Sequence, residues 1–461
     1  MTDLTCKLLI IGAGPGGYVC AIRAGQLGID TVIVDPEPPG GTCLNVGCIP
    51  SKALIHAAEE FHRVATAAQG PLGITAGAPA IDLARTTGWK DGIVGRLTGG
   101  VATLLKRAKV RHVTGRATLR DGKSAVVATA DGPLRIEAET IVIATGSAPV
   151  EVPSLPFGGS VISSTGALAL TEVPRRLAVV GGGYIGLELG TAFAKLGSSV
   201  TVVEAAARIL PQYDAELTRP VSARLEALGV RVLTGAKAEG LGAAGGLRVW
   251  TTDGHDEIAA DRVLVTVGRR PVTAGFGLES LDLAMDGPFL RVDERCRTSM
   301  RGVYAIGDVT GEPMLAHRAM AQGEMVAGLV AGERLGWDRR AIPSVCFTDP
   351  EIVSVGLSPE AARAAGETVE VASFPLAANG RALTTGREDG FVRVVARAGD
   401  HLVLGLQAVG AGLSELAAAF ALVLENALVL EDVAGTIHAH PTEGEALHEA
   451  CLRALGRGLH L

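Results

Sequence analysis

The chain has no excess of positive charge and no uninterrupted hydrophobic run long enough to span a bilayer. Its 42 lysines and arginines are outnumbered by 49 aspartates and glutamates, which gives a net charge of −7. With no basic tract, a nucleic-acid partner is not expected. The longest uncharged stretch, 152–171, is broken by prolines, glycines and serines, so it is interpreted as a linker and no membrane contact is expected. A strand pattern begins at Lys7 and leaves no room for a signal peptide, which predicts a cytoplasmic protein.

Cysteine is scarce, and only one pair of cysteines is closely spaced. Cys43 and Cys48 lie five positions apart in the run from Gly40 to Lys52, and the other five cysteines are scattered. On a straight α-helix this spacing gives about 7.5 Å of rise, which exceeds the Cα separation of roughly 4.4–6.8 Å that a disulfide tolerates. A bridge would therefore need a distorted backbone. It would also close so small a loop that it would hardly constrain the unfolded chain.

These features are typical of a disulfide that opens and closes during a reaction, with Gly47 and Pro50 available to distort the backbone. Two unpaired core cysteines and half of a zinc site are the alternative interpretations. A zinc site lacks its second pair of Cys or His ligands at the required spacing, so no metal is predicted. In a reducing compartment a single close pair is more often catalytic than structural.

A dinucleotide-binding motif stands near the N-terminus. An apolar strand pattern leads directly into GAGPGG (residues 12–17), a helical pattern follows, and the next apolar run ends at Asp35. In this motif Gly12 makes the tight turn, Gly14 lets the backbone approach a pyrophosphate, and Gly17 lets the helix pack on the strand. The pyrophosphate would lie at the helix N-terminus, and Asp35 would accept a hydrogen bond from a ribose hydroxyl.

The same constellation recurs near residue 180. A second apolar strand leads into GGGYIG (residues 181–186), and the strand after it ends at Glu204. The first glycine and the acid are 23 residues apart in both copies, from Gly12 to Asp35 and from Gly181 to Glu204. Two complete matches with equal spacing predict two Rossmann-type units.

Two dinucleotides beside a reactive disulfide imply a path for electrons. A nicotinamide carries hydride, a disulfide takes two electrons as thiolates, and a flavin exchanges electrons with both. FAD is therefore assigned to the first unit and NAD to the second. Glu204 favours NAD over NADP, because an acid at the ribose would repel a 2′-phosphate. For Asp35 and Glu204 the alternative is an acidic strand end that is merely solvated.

The predicted fold class is α/β, with two Rossmann-type domains and a C-terminal α+β interface domain. The run from Gly302 to Asp308 is interpreted as a short strand whose Asp contacts a ribitol chain, or alternatively as a simple turn. From Ala341 onwards, apolar segments with a turn at 398–400 predict an antiparallel sheet, and helices from Ser414 to Asn426 and after Pro441 complete that domain. The predicted boundaries are 1–150 for the FAD domain, 151–270 for the NAD domain, 271–340 for a central segment that completes the FAD site, and 341–461 for dimerisation.

His440 and Glu445 have two interpretations. In the structural one, Thr442 is a helix N-cap and Glu445, three residues on, completes a capping box. In the functional one, Glu445 holds His440 as a base, because thiol–disulfide exchange runs through thiolates and a free thiol has a pKa of about 8.5. His438 is an alternative candidate. The residues alone leave this open.

With these residues in hand, the chain closely resembles the dihydrolipoyl dehydrogenase family, the flavoprotein disulfide reductases of 2-oxo acid dehydrogenase complexes. The likeness covers essentially the whole length. It rests on GGTCLNVGCIPSK, the two glycine motifs, AIGDV, LAHRA and HAHPTEGE. The segments GGYVCAIRAGQLG and AHRAMAQGEMVA are most similar to the form that serves the branched-chain 2-oxo acid dehydrogenase complex.

The resemblance implies roles for individual residues. Cys43 is similar to the thiol that exchanges with dihydrolipoamide, and Cys48 to the thiol that faces the flavin. His440 and Glu445 match the base and its orienting partner, which in this family come from the other subunit of a homodimer. Asp35 departs from the Glu that the family usually has. The implied FAD residues are Gly12, Gly14, Gly17, Asp35, Gly41, Thr42, Lys52, Gly115, Thr145, Gly146, Asp308 and Ala316, and the implied NAD residues are Gly181, Gly183, Tyr184, Ile185, Gly186, Glu188, Glu204 and Gly268.

The implied activity is the NAD-dependent reoxidation of dihydrolipoamide. The implied partners are a second copy of the chain and the lipoyl domain and subunit-binding segment of a 2-oxo acid dehydrogenase acyltransferase. A reductase of another small disulfide, such as glutathione, and a redox-silent FAD-binding scaffold subunit are the alternatives. Glutathione reductases carry a Ser and an Arg for their charged peptide, where this chain has Pro15 and Ile22, which favours the uncharged lipoyl arm.

Overall fold

The computed structural model describes residues 2–243 and 245–460. Strands alternate with helices in the first half of the chain. The elements of the first unit are β1 (Thr2–Ile11), α1 (Pro15–Gln26), β2 (Thr31–Asp35), α2 (Gly41–Asn45), α3 (Cys48–Thr66), α4 (Leu83–Arg107), β3 (Arg111–Thr114), β4 (Arg116–Asp121), β5 (Ser124–Thr129), β6 (Gly132–Ile143) and β7 (Ser147–Pro149). Those that follow are β8 (Val161–Ile162), α5 (Ser164–Leu168), β9 (Arg176–Val180), α6 (Tyr184–Lys195), β10 (Ser199–Val203), α7 (Ala215–Ala227), β11 (Arg231–Leu233), β12 (Lys237–Leu241), β13 (Leu247–Thr251), β14 (Gly254–Ile258), β15 (Arg262–Val265) and β16 (Arg269–Pro271).

The second half of the chain adds a short connecting region and a different kind of sheet. The connecting region contains β17 (Met285–Asp286), β18 (Phe289–Leu290), β19 (Val303–Ala305) and α8 (Ala316–Val330). The last elements are β20 (Ser344–Cys346), β21 (Glu351–Gly356), α9 (Pro359–Ala364), β22 (Val369–Pro375), α10 (Gly380–Thr385), β23 (Phe391–Arg397), β24 (Val403–Gly410), α11 (Ala417–Glu425), α12 (Leu430–Gly435) and α13 (Glu445–Ala454).

The two glycine motifs belong to two sheets, each of which contains a group of parallel strands. The first sheet has the order β3-β2-β1-β6-β5-β4, and β19 pairs with β6 in parallel. Its strands β3, β2, β1 and β6 are parallel to one another. The second sheet, β11-β10-β9-β15-β8, is parallel throughout. Their central strands are apolar on both faces, as parallel strands covered on both sides require.

The C-terminal sheet is antiparallel, in the order β20-β21-β24-β23-β22. The predicted fold class is thus confirmed. The predicted helix from Ser414 is wrong at its start, because a short 3₁₀ turn, Leu413–Leu416, precedes α11. The linker 152–171 also contains β8, which joins the second sheet, and α5. Within the described residues, no helix is both long and apolar enough to cross a membrane.

Glycine lets each dinucleotide helix pack directly on its own turn. A Cβ on Gly17 would lie 1.9 Å from the carbonyl oxygen of Gly12, and a Cβ on Gly186 would lie 2.2 Å from that of Gly181. Gly12 and Gly181 have φ angles of 103° and 106°, in the region that favours glycine. The two units therefore use the same local geometry, as their equal spacing predicts.

An ion pair joins the second unit to the C-terminal sheet. Asp214 caps the N-terminus of α7 by accepting the N–H of Leu217. The same carboxylate pairs with Arg393 of β23, whose guanidinium is almost fully buried. One side chain therefore ends a helix in one unit and anchors another unit beside it.

We expect Gly17→Ala to lower the thermal unfolding temperature by several degrees or to prevent folding. The added methyl would overlap a backbone oxygen that cannot move without disturbing β1, and overpacking of this kind typically costs about 1–3 kcal/mol. Gly399→Ala is the matched control, because nothing lies within 4 Å of a Cβ added there. Equal thermal unfolding temperatures for the two variants would contradict the packing argument.

Candidate active site

A break between two helices brings Cys43 and Cys48 together. Cys43 lies within α2, Cys48 is the first residue of α3, and Gly47 separates the helices with φ −135° and ψ −105°. A Cβ on Gly47 would lie 2.8 Å from the carbonyl oxygen of Thr42. Gly47 thus supplies the predicted backbone distortion. The prediction that Pro50 contributes is wrong, since Pro50 lies in the first turn of α3, where a missing N–H is tolerated.

The two thiols interact with each other and differ in acidity. Both are free thiols. The side-chain interaction with Cys43 lowers the pKa of Cys48 to about 7, and the charge of Lys52 acts in the same direction against the effect of burial. The same interaction, together with burial, holds the pKa of Cys43 well above its usual range. The N-terminus of α3 also favours an anion at Cys48. Cys48 is thus prepared as a thiolate while Cys43 keeps its proton.

The ammonium group of Lys52 is fixed by a buried carboxylate. Its Nζ lies 2.6 Å from Oε2 of Glu188 and 4.4 Å from the centre of the Phe347 ring. The other oxygen of Glu188 accepts the N–H of Phe347 at 2.9 Å. Lys52 therefore stays one turn along α3 from Cys48.

A cavity of about 750 Å³ runs past this pair and receives residues of both units. A Cβ on Gly41 would lie 2.4 Å from Cα of Gly14, and a Cβ on Gly12 would lie 2.2 Å from the carbonyl oxygen of Ala144. This side-chain-free cradle at the N-terminus of α1 fits a dinucleotide pyrophosphate. The predicted residues that line the cavity are Gly12, Gly14, Asp35, Gly41, Thr42, Cys43, Cys48, Lys52, Thr145, Gly146, Tyr184, Ile185, Glu188, Asp308 and Ala316.

The other predicted cofactor residues lie outside that lining. Gly17 and Gly186 sit where a helix crosses its own turn. Gly115 donates its N–H to the carbonyl oxygen of Asp35, and Gly268 accepts the N–H of Val150. Gly181, Gly183 and Glu204 belong to the turn of the second unit.

The two strand-end acids make equivalent hydrogen bonds. Asp35 accepts the N–H of Ala13, and Glu204 accepts the N–H of Gly182, each at 2.6 Å. The second oxygen of Asp35 accepts the N–H of Glu37 at 2.9 Å, and that of Glu204 the N–H of Ala206 at 2.6 Å. Both carboxylates are thus held against their glycine turns rather than merely solvated. Each oxygen keeps a lone pair for a ribose hydroxyl.

Comparisons with known proteins agree with this geometry. Residues 6–323 match the family model described as pyridine nucleotide-disulphide oxidoreductase, and residues 342–451 match its dimerisation domain. The chain belongs to this family. Dihydrolipoyl dehydrogenase of Pseudomonas aeruginosa is 61% identical over 99% of both chains, and dihydrolipoyl dehydrogenase 2 of Haloarcula marismortui is 48% identical over 98% of both.

Solved structures of this family share the fold. The crystal structure of LpdA from Mycobacterium tuberculosis has a TM-score of 0.89 and 28% identity, covering 98% of this chain and 99% of that one. The HOCl-induced flavoprotein disulfide reductase RclA of Escherichia coli has a TM-score of 0.86 and 27% identity, covering 96% and 99%. The predicted membership of the dihydrolipoyl dehydrogenase family, the flavoprotein disulfide oxidoreductase activity and the cofactors FAD and NAD are confirmed.

Two residues of this family site were missed by the sequence analysis. Ser147 donates to Asp308 at 2.6 Å, and Arg269 donates to the Ser147 hydroxyl at 2.8 Å. Because a guanidinium can only donate, it fixes the hydroxyl as a donor toward Asp308. Ser147 follows Gly146 and Arg269 follows Gly268, at equivalent turns of the two units, and β7 pairs with β16 there. Their equivalent positions in the two units were the sequence feature that could have identified these two residues.

His440 and Glu445 form a pair away from this cavity. Nδ1 of His440 lies 2.9 Å from Oε1 of Glu445, and the imidazole is 79% exposed. The other oxygen of Glu445 accepts the N–H of Thr442 at 2.9 Å. Thr442 is nevertheless not the N-cap, because α13 begins at Glu445 after Gly444. Among the described residues, His440 does not line the cavity that holds Cys43.

His438 occupies a different environment. Its ring stacks on His448 at a centroid distance of 5.1 Å, and burial lowers its pKa. His440 is therefore the imidazole that projects from this loop.

We expect Lys52→Met to raise the pKa of Cys48 by about one unit from its value of about 7. Removing a neighbouring cation disfavours the thiolate, whereas Glu188 keeps its bond to the backbone. The midpoint is measured as the pH dependence of Cys48 alkylation in the reduced protein, with the modified peptide identified by mass spectrometry. Lys106→Met, at the exposed end of α4, is the control and should leave the midpoint unchanged. An unshifted midpoint in Lys52→Met would remove Lys52 from this role.

Proposed function

We propose that this protein oxidises dihydrolipoamide with NAD⁺ through reversible opening of a Cys43–Cys48 disulfide. The observation that supports this most is the pair of free thiols at the break between α2 and α3, in which Cys48 has the lowered pKa. A dithiol–disulfide exchange needs one sulfur that leaves easily and another that is attacked. The pair lies in a cavity that both glycine-motif helices reach.

In the oxidative half of the proposed reaction, one thiolate of the substrate attacks Cys43, and the S–S bond to Cys48 breaks. Cys48 leaves as a thiolate, which its lowered pKa and Lys52 stabilise. The second substrate thiolate then attacks the mixed disulfide and releases Cys43, so that lipoamide leaves with a new S–S bond. Two electrons and two protons have then passed from substrate to protein. When bound, FAD would take the two electrons from the thiols as the disulfide forms again, and NAD⁺ would receive them from the flavin as a hydride, with one proton released to solvent.

The proposed base is His440 of the partner subunit. Glu445 holds Nδ1 of the imidazole, which leaves Nε2 to take the substrate thiol proton. The dimerisation domain over 342–451 supports a homodimer. Ile437, beside the histidine loop, is 97% exposed and Leu422 on α11 is 62% exposed, as expected for a surface that a second copy covers.

The cofactor roles and domain boundaries follow the same arrangement. Residues 1–150 with the segment 271–340 would hold FAD, since β19 extends the first sheet. Residues 151–270 would hold NAD, and 341–461 would form the dimer. Asp308, fixed by Ser147, would accept from the ribitol chain, and Tyr184 at the start of α6 would cover the nicotinamide site. These roles are our proposal.

The proposed partner is the acyltransferase of a 2-oxo acid dehydrogenase complex, through its lipoyl domain and subunit-binding segment. The branched-chain complex is our specific candidate. Identification of the acyltransferase that co-purifies with the tagged protein tests it. We also propose that the protein acts in the cytoplasm, because the cysteines outside the pair are buried free thiols that suit a reducing compartment.

We expect the purified protein to form NADH from dihydrolipoamide and NAD⁺, and to be at least 100-fold slower with glutathione and coenzyme A. In Cys48→Ser this turnover should vanish while bound FAD keeps the protein yellow, because Cys43 alone cannot form the disulfide that accepts the substrate's electrons. Cys6→Ser is the control, since Cys6 is buried elsewhere and serine can make its bond to Glu137. Ordinary turnover in Cys48→Ser would refute the scheme.

We expect His440→Gln to reduce the rate of dihydrolipoamide oxidation about 100-fold or more at neutral pH, because the substrate thiol would lose its general base. The loss should shrink as the pH approaches the substrate thiol pKa, so the measurement is a pH profile of kcat. His438→Gln should keep most of the activity. A near-normal rate in His440→Gln across the neutral range would exclude the base.

A further inference from the structure

Helices α3 and α6 are joined by two ion pairs with the same sequence offset. Lys52 pairs with Glu188 at 2.6 Å, and Glu59 pairs with Lys195. Each pair joins residues 136 positions apart. Seven residues are about two helical turns and about 10.5 Å of rise, so each helix presents both of its charges on one face. The two helices therefore run in the same direction in a fixed register.

The charges are swapped between the two pairs. Helix α3 carries the cation first and the anion second, whereas α6 carries the anion first and the cation second. A slip by one turn would break both pairs. A slip by seven residues would place Glu59 against Glu188, or Lys52 against Lys195. The pattern thus opposes both kinds of displacement, as mixed charges do between coiled-coil helices.

A third segment of the chain contacts both pairs. The N–H of Phe347 donates to Glu188 at 2.9 Å, and Asp349 lies 2.6 Å from Nζ of Lys195. The side chains of Glu188 and Lys195 are each only 5% exposed. Both residues 347 and 349 belong to the dimerisation domain. A buried charge held by two partners is costly to displace.

Apolar contacts act at the same interface. Leu54 of α3 and Phe193 of α6 lie in one hydrophobic cluster, and the two ion pairs add directional contacts to that packing. The register matters because α3 carries Cys48 and Lys52 at one end, while α6 carries Glu188.

We propose that Glu59 and Lys195 are positioning residues which, together with Lys52 and Glu188, lock the register of α3 against α6 and so hold Glu188 against Lys52, one turn along α3 from Cys48. This inference rests on the proposed function, in which the Cys48 thiolate faces the flavin. Neither Glu59 nor Lys195 lines the cavity among the described residues. Their effect would be transmitted along the helices.

The test uses the FAD-containing Cys43→Ser protein, in which a Cys48 thiolate facing the flavin would give a long-wavelength charge-transfer absorbance. Its pH midpoint reports how well Lys52 stabilises the thiolate, with Glu188 as the opposing charge. We expect Glu59→Gln to raise this midpoint by about one unit, because a loosened contact between α3 and α6 frees the Lys52 ammonium group from Glu188 and lets it turn away from Cys48 into solvent. Mere loss of a negative charge would lower the midpoint, so the sign separates the two causes.

Glu60→Gln is the matched control. It removes the same charge one residue further along α3, from a side chain that is 52% exposed and pairs with Arg63 of the same helix. We expect its midpoint to stay within about 0.2 unit of the parent or to fall slightly. Lys195→Met is the second variant, and adding Glu59→Gln to it should raise the midpoint no further, because Glu59 has then already lost its partner.

The outcomes separate this inference from the proposed function. If the parent Cys43→Ser protein lacks the charge-transfer band, the proposed role of Cys48 is wrong. If the band is present but Glu59→Gln behaves like Glu60→Gln, or if the shifts of Glu59→Gln and Lys195→Met add, the register lock is overturned.

Discussion

One close pair of sulfur atoms organises the candidate active site of this chain. The interaction between them raises the pKa of Cys43 and lowers that of Cys48, so that Cys43 keeps its proton while Cys48 loses its proton more readily. If the two thiols had equal pKa values, neither sulfur would be favoured as the leaving group when the disulfide opens. The N-terminus of α3 favours the Cys48 thiolate, because Cys48 starts α3 while Cys43 lies in the separate helix α2. The charge of Lys52 lowers the pKa of both thiols. The break at Gly47 thus brings the two thiols close together and also contributes to the difference between their pKa values.

Residues from other parts of the fold position the groups that make the pKa values of Cys43 and Cys48 differ. Lys52 belongs to the first unit, Glu188 to the second and Phe347 to the dimerisation domain, and the three meet beside Cys48. Similarly, Asp308 is fixed through Ser147 by Arg269 from the opposite unit. Each nucleotide unit is a complete sheet, yet the polar groups around the cavity come from several parts of the chain. The active site therefore depends on how the units are assembled as well as on how each one folds.

The features that depend only on local backbone geometry were predictable from the sequence. The two glycine motifs and their acids were predictable because a tight turn, a close helix crossing and a strand-end carboxylate each need one residue type at a fixed spacing. The helix break at Gly47 followed from the distance limits of a disulfide, but Pro50 was wrongly included because a helix tolerates proline in its first turn. Ser147 and Arg269 were missed because their equivalent positions after Gly146 and Gly268 show that they meet only once β7 is seen to pair with β16. Helix α13 begins at Glu445 after Gly444, although Glu445 accepts the N–H of Thr442 as the predicted capping box requires.

Asp214 both caps α7 and pairs with Arg393, and this affects how the chain folds during synthesis. The cap of α7 is made within a few residues, but the guanidinium that neutralises it lies on β23, some 180 positions later. While the ribosome is still adding that stretch, the middle unit exposes a carboxylate and an apolar seam that nothing yet covers. The nascent middle unit reaches its mature packing only when the last sheet arrives, so the order of translation delays its completion.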